Sequence, residues 1–189
     1  MYNLNLEDPL FLPHRRCDIQ LEVAQGEAVV LIGENGLGKT TLFRRWQSRL
    51  PECSFLEQGP LDFFYDRKLS QVYHFFIGLK GINSLRLERL WTDFQLKAKE
   101  DRTLGQLSGG EAQALKICLA LAKDAQLYLL DEPSQFLDLP RKQVLKQHLA
   151  KLINDGCSLI IVEHNVDWPP ADWKKIFLED RNGTLKVVH

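Results

Sequence analysis

A glycine-rich segment with a lysine, Gly33–Thr41, constrains the fold of this chain more than any other stretch. It reads GENGLGKTT and fits the pattern G-x-x-x-x-G-K-[ST], directly after an apolar run and at the start of a predicted helix. Its three glycines let the backbone curl so that consecutive N–H groups face inward at the positive end of that helix. Such a nest suits the phosphates of a nucleotide. The alternative is a glycine-rich turn between a strand and a helix that carries an incidental lysine.

Individual side chains of this segment have predicted roles in binding phosphate and metal. Lys39 adds a movable positive charge, the hydroxyl of Thr40 is placed to ligate Mg²⁺, and Thr41 can reach an inner phosphate. The residues predicted here to contact a nucleotide are Gly33, Glu34, Asn35, Gly36, Leu37, Gly38, Lys39, Thr40 and Thr41.

Composition bounds the class of protein. At 189 residues and 44% hydrophobic, the chain can bury a sizeable core as one domain, or a core with a smaller lobe. Its net charge of -1 lacks the electrostatic footprint of a dedicated nucleic-acid binder, so no nucleic acid partner is expected. The four cysteines lie far apart without a C-x-x-C pair. This spacing disfavours zinc and disulfides and predicts buried, reduced thiols.

Neither a membrane span nor a secretory signal is predicted. The longest apolar runs fall far short of the roughly 20 residues that a spanning helix needs. The start, Met1–Asp8, has no basic region followed by an apolar stretch. We therefore expect a cytoplasmic protein.

The apolar patterns predict an α/β fold. The predicted strands are Asp18–Val23, Glu27–Ile32, Cys53–Leu56, Gln126–Leu130, Ser158–Val162, Lys175–Leu178 and Thr184–Val188. The first alternates like a half-buried strand of an antiparallel sheet, whereas the second is continuously apolar after its first residue, as in a sheet covered on both faces. Asn182-Gly183 between the last two is a strong hairpin signal.

Helices are predicted after the phosphate loop to about Arg49, over Ala112–Lys123, and from Pro140 to about Asn154. Residues 61–102 differ from the rest, because they are rich in aromatics at helical spacing and show no clear strand. Ser70 can cap one helix of this lobe, and Asn83 or Ser84 another. Core packing and an exposed surface for a partner both remain open for the aromatics.

Two further segments place polar groups at the ends of predicted elements. Leu107–Glu111 reads LSGGE and is a second glycine-rich helix start. Asp131 and Glu132 follow a buried strand, and His164 ends another. Ligands bind at the carboxyl ends of strands in open α/β sheets, so these side chains are candidates for a site.

Taken in order, these motifs resemble the nucleotide-binding domain of the ATP-binding cassette (ABC) family over essentially the whole chain. The phosphate loop, the LSGGE signature, the Walker B strand Leu127–Asp131 and the histidine switch His164 all match. The resemblance implies an α/β P-loop NTPase core, mainly parallel, with an N-terminal antiparallel β part and a small helical subdomain. We predict one domain over 1–189, with the ATP-binding core at 1–60 and 103–189 and the helical subdomain at 61–102.

The resemblance also implies roles at the ATP site. Asp131 would hold Mg²⁺ together with Thr40, Glu132 would polarise the attacking water, and His164 would contact the γ-phosphate. Lys39 completes the predicted catalytic residues. Gln58 resembles the Q-loop glutamine that senses Mg²⁺ and the γ-phosphate, although an ordinary turn glutamine is the alternative.

In this family two domains pair head to tail, and each ATP lies between the phosphate loop of one and the signature helix of the other. Ser108, Gly109 and Gly110 would then bind the ATP of a second copy, and Asp138 matches the D-loop aspartate. Gln135 and Phe136 stand where relatives often carry small residues, which puts the geometry across the dimer in doubt. For adenine stacking the candidates are Phe11 and, more weakly, Tyr2, with core packing as the alternative.

The predicted function is an Mg²⁺-dependent ATP hydrolase that drives integral membrane transporter subunits from the inner face of the membrane. Neither the transported substrate nor its direction is encoded here, although the compact helical lobe is similar to small exporters, including the heme-exporter type. The alternatives are a soluble ATP-gated switch, like the chromosome-maintenance or translation-associated cassettes, and a regulatory subunit with little hydrolysis of its own.

Overall fold

The protein is described from a computed structural model, which covers residues 1–4, 6–12, 15–50, 52–56, 61, 64–164 and 168–188, with the side chains of 6, 7, 9–11 and 15 excepted. Ten strands and five α-helices lie in these ranges. The strands are β1 (Tyr2–Asn3), β2 (Leu6–Leu12), β3 (Arg15–Ile19), β4 (Glu22–Val23), β5 (Ala28–Ile32), β6 (Ser54–Leu56), β7 (Leu127–Asp131), β8 (Ser158–Glu163), β9 (Lys174–Arg181) and β10 (Thr184–Val188). The helices are α1 (Lys39–Arg49), α2 (Leu69–Ile77), α3 (Ser84–Asp93), α4 (Gly109–Ala122) and α5 (Leu139–Asn154).

Eight strands form one sheet in the order β2-β3-β10-β9-β5-β8-β7-β6, and β1 pairs with β4 separately. The five strands from β9 to β6 run parallel, whereas β2 with β3 and β9 with β10 are antiparallel. The predicted α/β fold with a mainly parallel core is confirmed.

The prediction that Asp18–Val23 forms one antiparallel strand is wrong. The buried residues Ile19 and Val23 of this segment fall in two strands, β3 and β4, which belong to different sheets. β3 is antiparallel to β2 but parallel to β10. The alternation of apolar residues correctly predicted which side chains are buried. It does not indicate which strands pair with this segment.

The sheet separates two apolar layers because successive residues of a strand point to opposite faces. Val29 and Leu31 of β5 face a layer that includes Phe43 and Trp46 of α1. Val30 and Ile32 face the other layer, which contains the buried faces of α3, α4 and α5. Both faces of β5 are therefore covered, as its continuous apolar sequence predicts.

The two helices of the lobe, α2 and α3, pack into this second layer through Leu69, Val72, Leu87 and Trp91. Asn83 caps α3 as predicted, with its side chain accepting the N–H of Arg86 at 2.9 Å. The predicted cap of the other helix, Ser70, is not the N-cap. α2 begins at Leu69, with Lys68 as its N-cap, so Ser70 lies inside the helix. The division of the chain into a core and a helical subdomain stays a prediction.

The aromatic residues of the lobe show both of the expected behaviours. Tyr65 and Phe75 are exposed, whereas Tyr73 and Phe76 are half-buried and pack against the core. Phe63, another aromatic residue of the lobe, lies outside the described residues.

Helix α4 begins at Gly109, three residues before its predicted start. Ser108 and Glu111 cap each other's backbone N–H groups, at 3.3 Å and 2.9 Å. This reciprocal cap offsets the low helix propensity of the two glycines, so both are helical.

All four cysteines are free and buried, as predicted. None of the helices in the described part of the chain combines the length and the apolar character that a membrane span requires. The carboxyl ends of β5, β7 and β8 lie side by side, since Ile32 pairs with Glu163 and Asp131 with Val162. This edge of the sheet is where the predicted site residues meet.

Candidate active site

The phosphate loop is shaped by its glycines. A Cβ on Gly33 would lie 2.8 Å from a methyl of Leu37 and 2.9 Å from the carbonyl oxygen of Leu178, so no larger residue fits. Gly36 and Gly38 have φ of 77° and 92°, in the left-handed region that favours glycine. Gly38 precedes α1 without a side-chain cap. The first amides of α1 are thus left for an anion, in line with the predicted nest.

Lys39 is held by the loop that it follows. Its Nζ donates to the carbonyl oxygens of Gly33 and Glu34, each at 2.7 Å. An ammonium has three N–H donors, and these carbonyls take two of them. Burial lowers the pKa of Lys39, and the nearby charges of Glu132 and Asp131 oppose that shift. The side chain is therefore fixed beside the loop with a donor left for a phosphate oxygen.

Thr40 and Asp131 meet as the resemblance predicts for two metal ligands. Thr40 Oγ1 donates to Asp131 Oδ2 at 2.6 Å, while Asp131 Oδ1 is buried and has no hydrogen-bond partner among the described residues. Burial raises the pKa of Asp131, and the hydrogen bond from Thr40 lowers it in part. A buried carboxylate oxygen with no partner beside a hydroxyl is a donor set that suits Mg²⁺. These two residues therefore fit the predicted metal.

Glu132 and His164 are in direct contact. His164 Nε2 lies 2.5 Å from Glu132 Oε1, and the glutamate side chain is mostly buried, at 12% exposure. Glu132 has φ of 47°, which is uncommon for a residue with a side chain. Its backbone N–H donates to the carbonyl oxygen of Val162 at 3.0 Å. The structure thus brings together the two residues predicted to act on the attacking water and the γ-phosphate.

The turn from Glu132 to Leu137 is held by two buried side chains that are not among the predicted site residues. Gln113 Nε2 of α4 donates to the carbonyl oxygens of Glu132 and Pro133, each at 3.3 Å. Glu163 Oε1 of β8 accepts the N–H of Ser134 at 3.0 Å. One signal in the sequence could have indicated Glu163, since an acidic residue directly before His164 ends an otherwise apolar strand.

The signature helix starts beside the same turn. A Cβ on Gly110 would lie 2.8 Å from the carbonyl oxygen of Phe136, so only glycine permits this approach. Glu111 forms an ion pair with Lys99 at 2.7 Å. Burial alone raises the pKa of Glu111, but its hydrogen bond to Lys99 and its bonds to Ser108 outweigh burial and lower it. The start of α4 is thereby fixed both by its own cap and by the lobe.

The remaining predicted contacts have different outcomes. Asp138 caps α5, accepting the N–H of Arg141 at 3.0 Å, and its role toward a nucleotide stays a prediction. Tyr2 lines a cavity together with Arg49, the last residue of α1, and its contact with adenine stays a prediction. Gln58 and the side chain of Phe11 lie outside the described residues.

This arrangement joins the groups that phosphoryl transfer to water requires. An anion nest and an ammonium bind phosphates, a hydroxyl and a carboxylate hold a metal ion, and a second carboxylate lies beside an imidazole. Lys39, Thr40, Asp131, Glu132 and His164 supply these groups at one edge of the sheet.

The chain is similar to the ATP-binding proteins of transporters. It is 29% identical over 191 residues to the energy-coupling factor transporter ATP-binding protein EcfA1 of Thermotoga maritima, covering 89% of this chain and 73% of that protein. The SkfA peptide export ATP-binding protein SkfE of Bacillus subtilis is 28% identical over 193 residues, covering 88% of this chain and 79% of its own length. The chain spans 40% and 41% of two other curated relatives, putative ABC transporter ATP-binding proteins of Clostridium tetani and Treponema denticola.

One relative has another role. The translation initiation factor rli1 of Schizosaccharomyces pombe is 28% identical over 163 residues, covering 78% of this chain and 26% of that protein. Among solved structures, an ATP binding subunit of an ABC transporter superposes with a TM-score of 0.77 over 96% of this chain and 85% of that one, at 20% identity. At that identity the superposition establishes the fold.

The sequence profile of the ABC transporter family matches residues 17–54 and 47–135, which is more than half of the chain. The match takes in the phosphate loop, the signature and the Walker B carboxylates, whose contacts are given above. The chain belongs to the ABC transporter family.

Proposed function

We propose that this chain is the ATP-binding and ATP-hydrolysing subunit of an ABC membrane transporter. The observation that carries the proposal is the contact of Glu132 with His164 at the sheet edge where Lys39 and the Thr40–Asp131 pair also lie. We take these groups as a candidate base, a metal pair and a phosphate-binding lysine around one position.

Binding of ATP begins at the phosphate loop. The amides at the start of α1 and the Nζ of Lys39 bind the phosphates, because both present positive charge to the same edge. Thr40 Oγ1 and Asp131 would hold Mg²⁺, which supplies further positive charge to the phosphate oxygens when bound.

Hydrolysis depends on Glu132. Its carboxylate accepts a hydrogen bond from the attacking water and orients that water toward the γ-phosphate. His164 fixes the carboxylate by the 2.5 Å contact, and its imidazole is placed to stabilise charge on the γ-phosphate.

A second copy of the chain completes the site. The signature residues Ser108, Gly109 and Gly110 form a helix start that presents amides and a hydroxyl, and in a head-to-tail pair these groups face the ATP of the partner. Asp138 would lie near the same interface. ATP therefore draws two copies together, and hydrolysis lets them separate.

The membrane partners are integral transporter subunits, which the chain meets at the inner face of the membrane. The relatives named for energy-coupling factor transport and peptide export support this assignment. Gln58 and the lobe of α2 and α3 are the proposed contacts. The transported substrate is set by the membrane subunits, and the heme-exporter type of lobe stays a prediction.

The test of hydrolysis is Glu132→Gln. The amide keeps the size of the side chain but loses its basicity, so we expect kcat to fall by about 10² to 10⁴. Affinity for a fluorescent ATP analogue is expected to stay within about threefold, because the phosphate loop is unchanged. Phosphate release at saturating Mg-ATP measures the first quantity, and a fluorescence titration measures the second.

Glu22→Gln is the matched control, since it removes an exposed carboxylate on β4 outside the site. An unchanged kcat in Glu132→Gln, with Glu22→Gln also unchanged, would contradict the role of Glu132. The dimer has its own test: specific activity should rise with protein concentration, whereas a monomer with constant specific activity excludes the shared site.

The second candidate is a soluble ATP-gated switch outside transport. The similarity to rli1, a translation initiation factor, favours it. The two candidates differ in partner: a transporter subunit copurifies with a membrane protein, whereas a switch of this type is stimulated by ribosomes. Stimulation of hydrolysis by added ribosomes, without a membrane partner, would replace the first proposal with the second.

A further inference from the structure

We propose that Glu163 is a positioning residue, which holds the turn that carries Glu132 and so keeps Glu132 in place for hydrolysis. This inference rests on the proposed function and assigns a role to a residue outside the motifs. Glu163 touches neither phosphate nor metal in this proposal. It acts through the backbone of the turn.

The contact that carries the inference is buried at both ends. Glu163 is the last residue of β8 and is 3% exposed, and Ser134 is 5% exposed. Glu163 Oε1 accepts the backbone N–H of Ser134 at 3.0 Å. A buried backbone N–H needs a hydrogen-bond acceptor, and no backbone carbonyl of the turn accepts the N–H of Ser134. The carboxyl group therefore fixes the position of Ser134.

The turn needs such an anchor because its backbone is in uncommon conformations. Glu132 and Phe136, on either side of Ser134, have φ of 47° and 62°. Left-handed conformations at residues with side chains persist only where the surroundings hold them. Ser134 lies between the two, so a fixed Ser134 restricts both.

Two consecutive residues, the last of β8 and the one that follows it, hold the same turn. Glu163 binds the backbone at Ser134, and His164 contacts the side chain of Glu132. The rigid strand thereby sets both the path of the turn and the direction of the carboxylate. Gln113 adds an anchor from α4, at the carbonyl oxygen of Glu132.

The anchor does not require charge on Glu163. Burial raises the pKa of Glu163 to about 7, and Ser134 lowers it in part through its hydrogen bonds. A carboxyl group keeps an acceptor oxygen in either protonation state, and a glutamine offers the same oxygen. Glu163→Gln should therefore preserve the function, whereas a residue without an acceptor should not.

The experiment compares Glu163→Leu with Glu163→Gln. Ser158→Ala is the matched control at the other end of β8, because Ser158 Oγ is also buried and accepts a backbone N–H, that of Gly26, at 3.2 Å. Glu163→Val, which suits a strand and also lacks an acceptor, replaces the leucine variant if that variant does not fold.

Hydrogen–deuterium exchange of peptides covering residues 132–137 reads the anchor without turnover. We expect exchange in this turn to accelerate about tenfold or more in Glu163→Leu and to stay near wild type in Glu163→Gln and Ser158→Ala. Equal protection in Glu163→Leu and wild type would overturn the proposal.

Steady-state kinetics reads the consequence. We expect kcat of Glu163→Leu to fall by about 10- to 100-fold while KM for ATP stays within about threefold, because a misplaced base affects the reaction more than binding. Glu163→Gln should restore most of kcat. A glutamine variant as impaired as the leucine variant would overturn the proposal, since charge rather than the hydrogen bond would then matter. So would a parallel loss of kcat in Ser158→Ala.

The two proposals fail in different ways. If wild type does not hydrolyse ATP, the proposed function fails, and exchange alone decides whether Glu163 holds the turn. If wild type hydrolyses ATP and Glu163→Leu matches it, the positioning role fails and the function stands.

Discussion

Replacing Glu163 with glutamine should change how the free energy of unfolding depends on pH. Burial raises the pKa of this carboxyl from a usual value of 4.5 to about 7 in the folded protein. The charge of Glu132 adds to the increase, whereas the hydrogen bonds of Ser134 and the charge of Lys142 lower the pKa in part. Because the folded state holds this proton to higher pH than the unfolded state, the stability that it contributes is full below pH 4.5. That stability is lost as pH rises through about 7.

The size of the effect follows from the shift. At about 1.4 kcal/mol per pH unit, the shift corresponds to about 3.5 kcal/mol across the whole window from pH 4.5 to pH 7. Glu163→Gln cannot ionise, so its free energy of unfolding lacks this loss. The variant should therefore gain about 2 to 3 kcal/mol relative to wild type between pH 5 and pH 8.

Urea unfolding of both proteins at pH 5, 6, 7 and 8 measures the difference directly. Glu88→Gln is the control, because it neutralises a glutamate on α3 that is exposed to solvent. Its difference from wild type should stay constant across the same pH values. A constant difference for Glu163→Gln as well would refute the reasoning, since the carboxyl would then ionise equally in both states.

Three further substitutions test the site. Lys39→Ala removes the ammonium beside the loop and should weaken binding of a fluorescent ATP analogue by about 10- to 100-fold, as expected for charge-assisted hydrogen bonds; unchanged affinity contradicts the nest. Asp131→Asn should raise the Mg²⁺ concentration for half-maximal hydrolysis by about tenfold or more, and an unaltered requirement would exclude Asp131 as a ligand. Gly110→Ala should destabilise the fold by about 1 to 3 kcal/mol in urea, because its Cβ would lie 2.8 Å from Phe136 O. In Gly109→Ala the new contact with Phe136 is an ordinary 3.8 Å, so equal losses in both variants would refute this steric reasoning.

The parallel core could be predicted because its strands are buried on both faces. Ala28–Ile32, Leu127–Asp131 and Ser158–Glu163 are almost continuously apolar, and each ends where polar residues begin. The hairpin at Asn182-Gly183 was predicted from its turn residues, and both have positive φ. Local sequence determines these features, so no distant contact had to be known.

The start of α4 was predicted three residues late for a physical reason. Glycine is a weak helix former, and the predicted helix begins at Ala112, after the glycine-rich start Leu107–Glu111. The spacing of Ser108 and Glu111 is that of a capping box, which outweighs the glycines. The capping box therefore sets the start of α4 at Gly109, directly after Ser108.

The side chains that hold the turn from Glu132 to Leu137 could not be predicted from local sequence. Ser134 and Glu163 are 29 residues apart, and Gln113 reaches Glu132 from another helix. The pattern predicts that β8 ends near Glu163, but it cannot indicate which backbone group faces that side chain. Such contacts depend on strand order, which the alternation of apolar residues does not specify.

The structure shows where the bulky side chains of the D-loop segment, Gln135 and Phe136, lie. Gln135 and Phe136 are exposed, and Phe136 is 70% exposed, so neither side chain occupies the chain's own site. The backbone beneath them is fixed by Glu163 and by the close approach to Gly110. In the proposed dimer, an effect of these residues on hydrolysis would therefore act through the surface that meets a second copy. For this reason their replacement by small residues should alter the concentration dependence of hydrolysis before it alters the binding of ATP to a single copy.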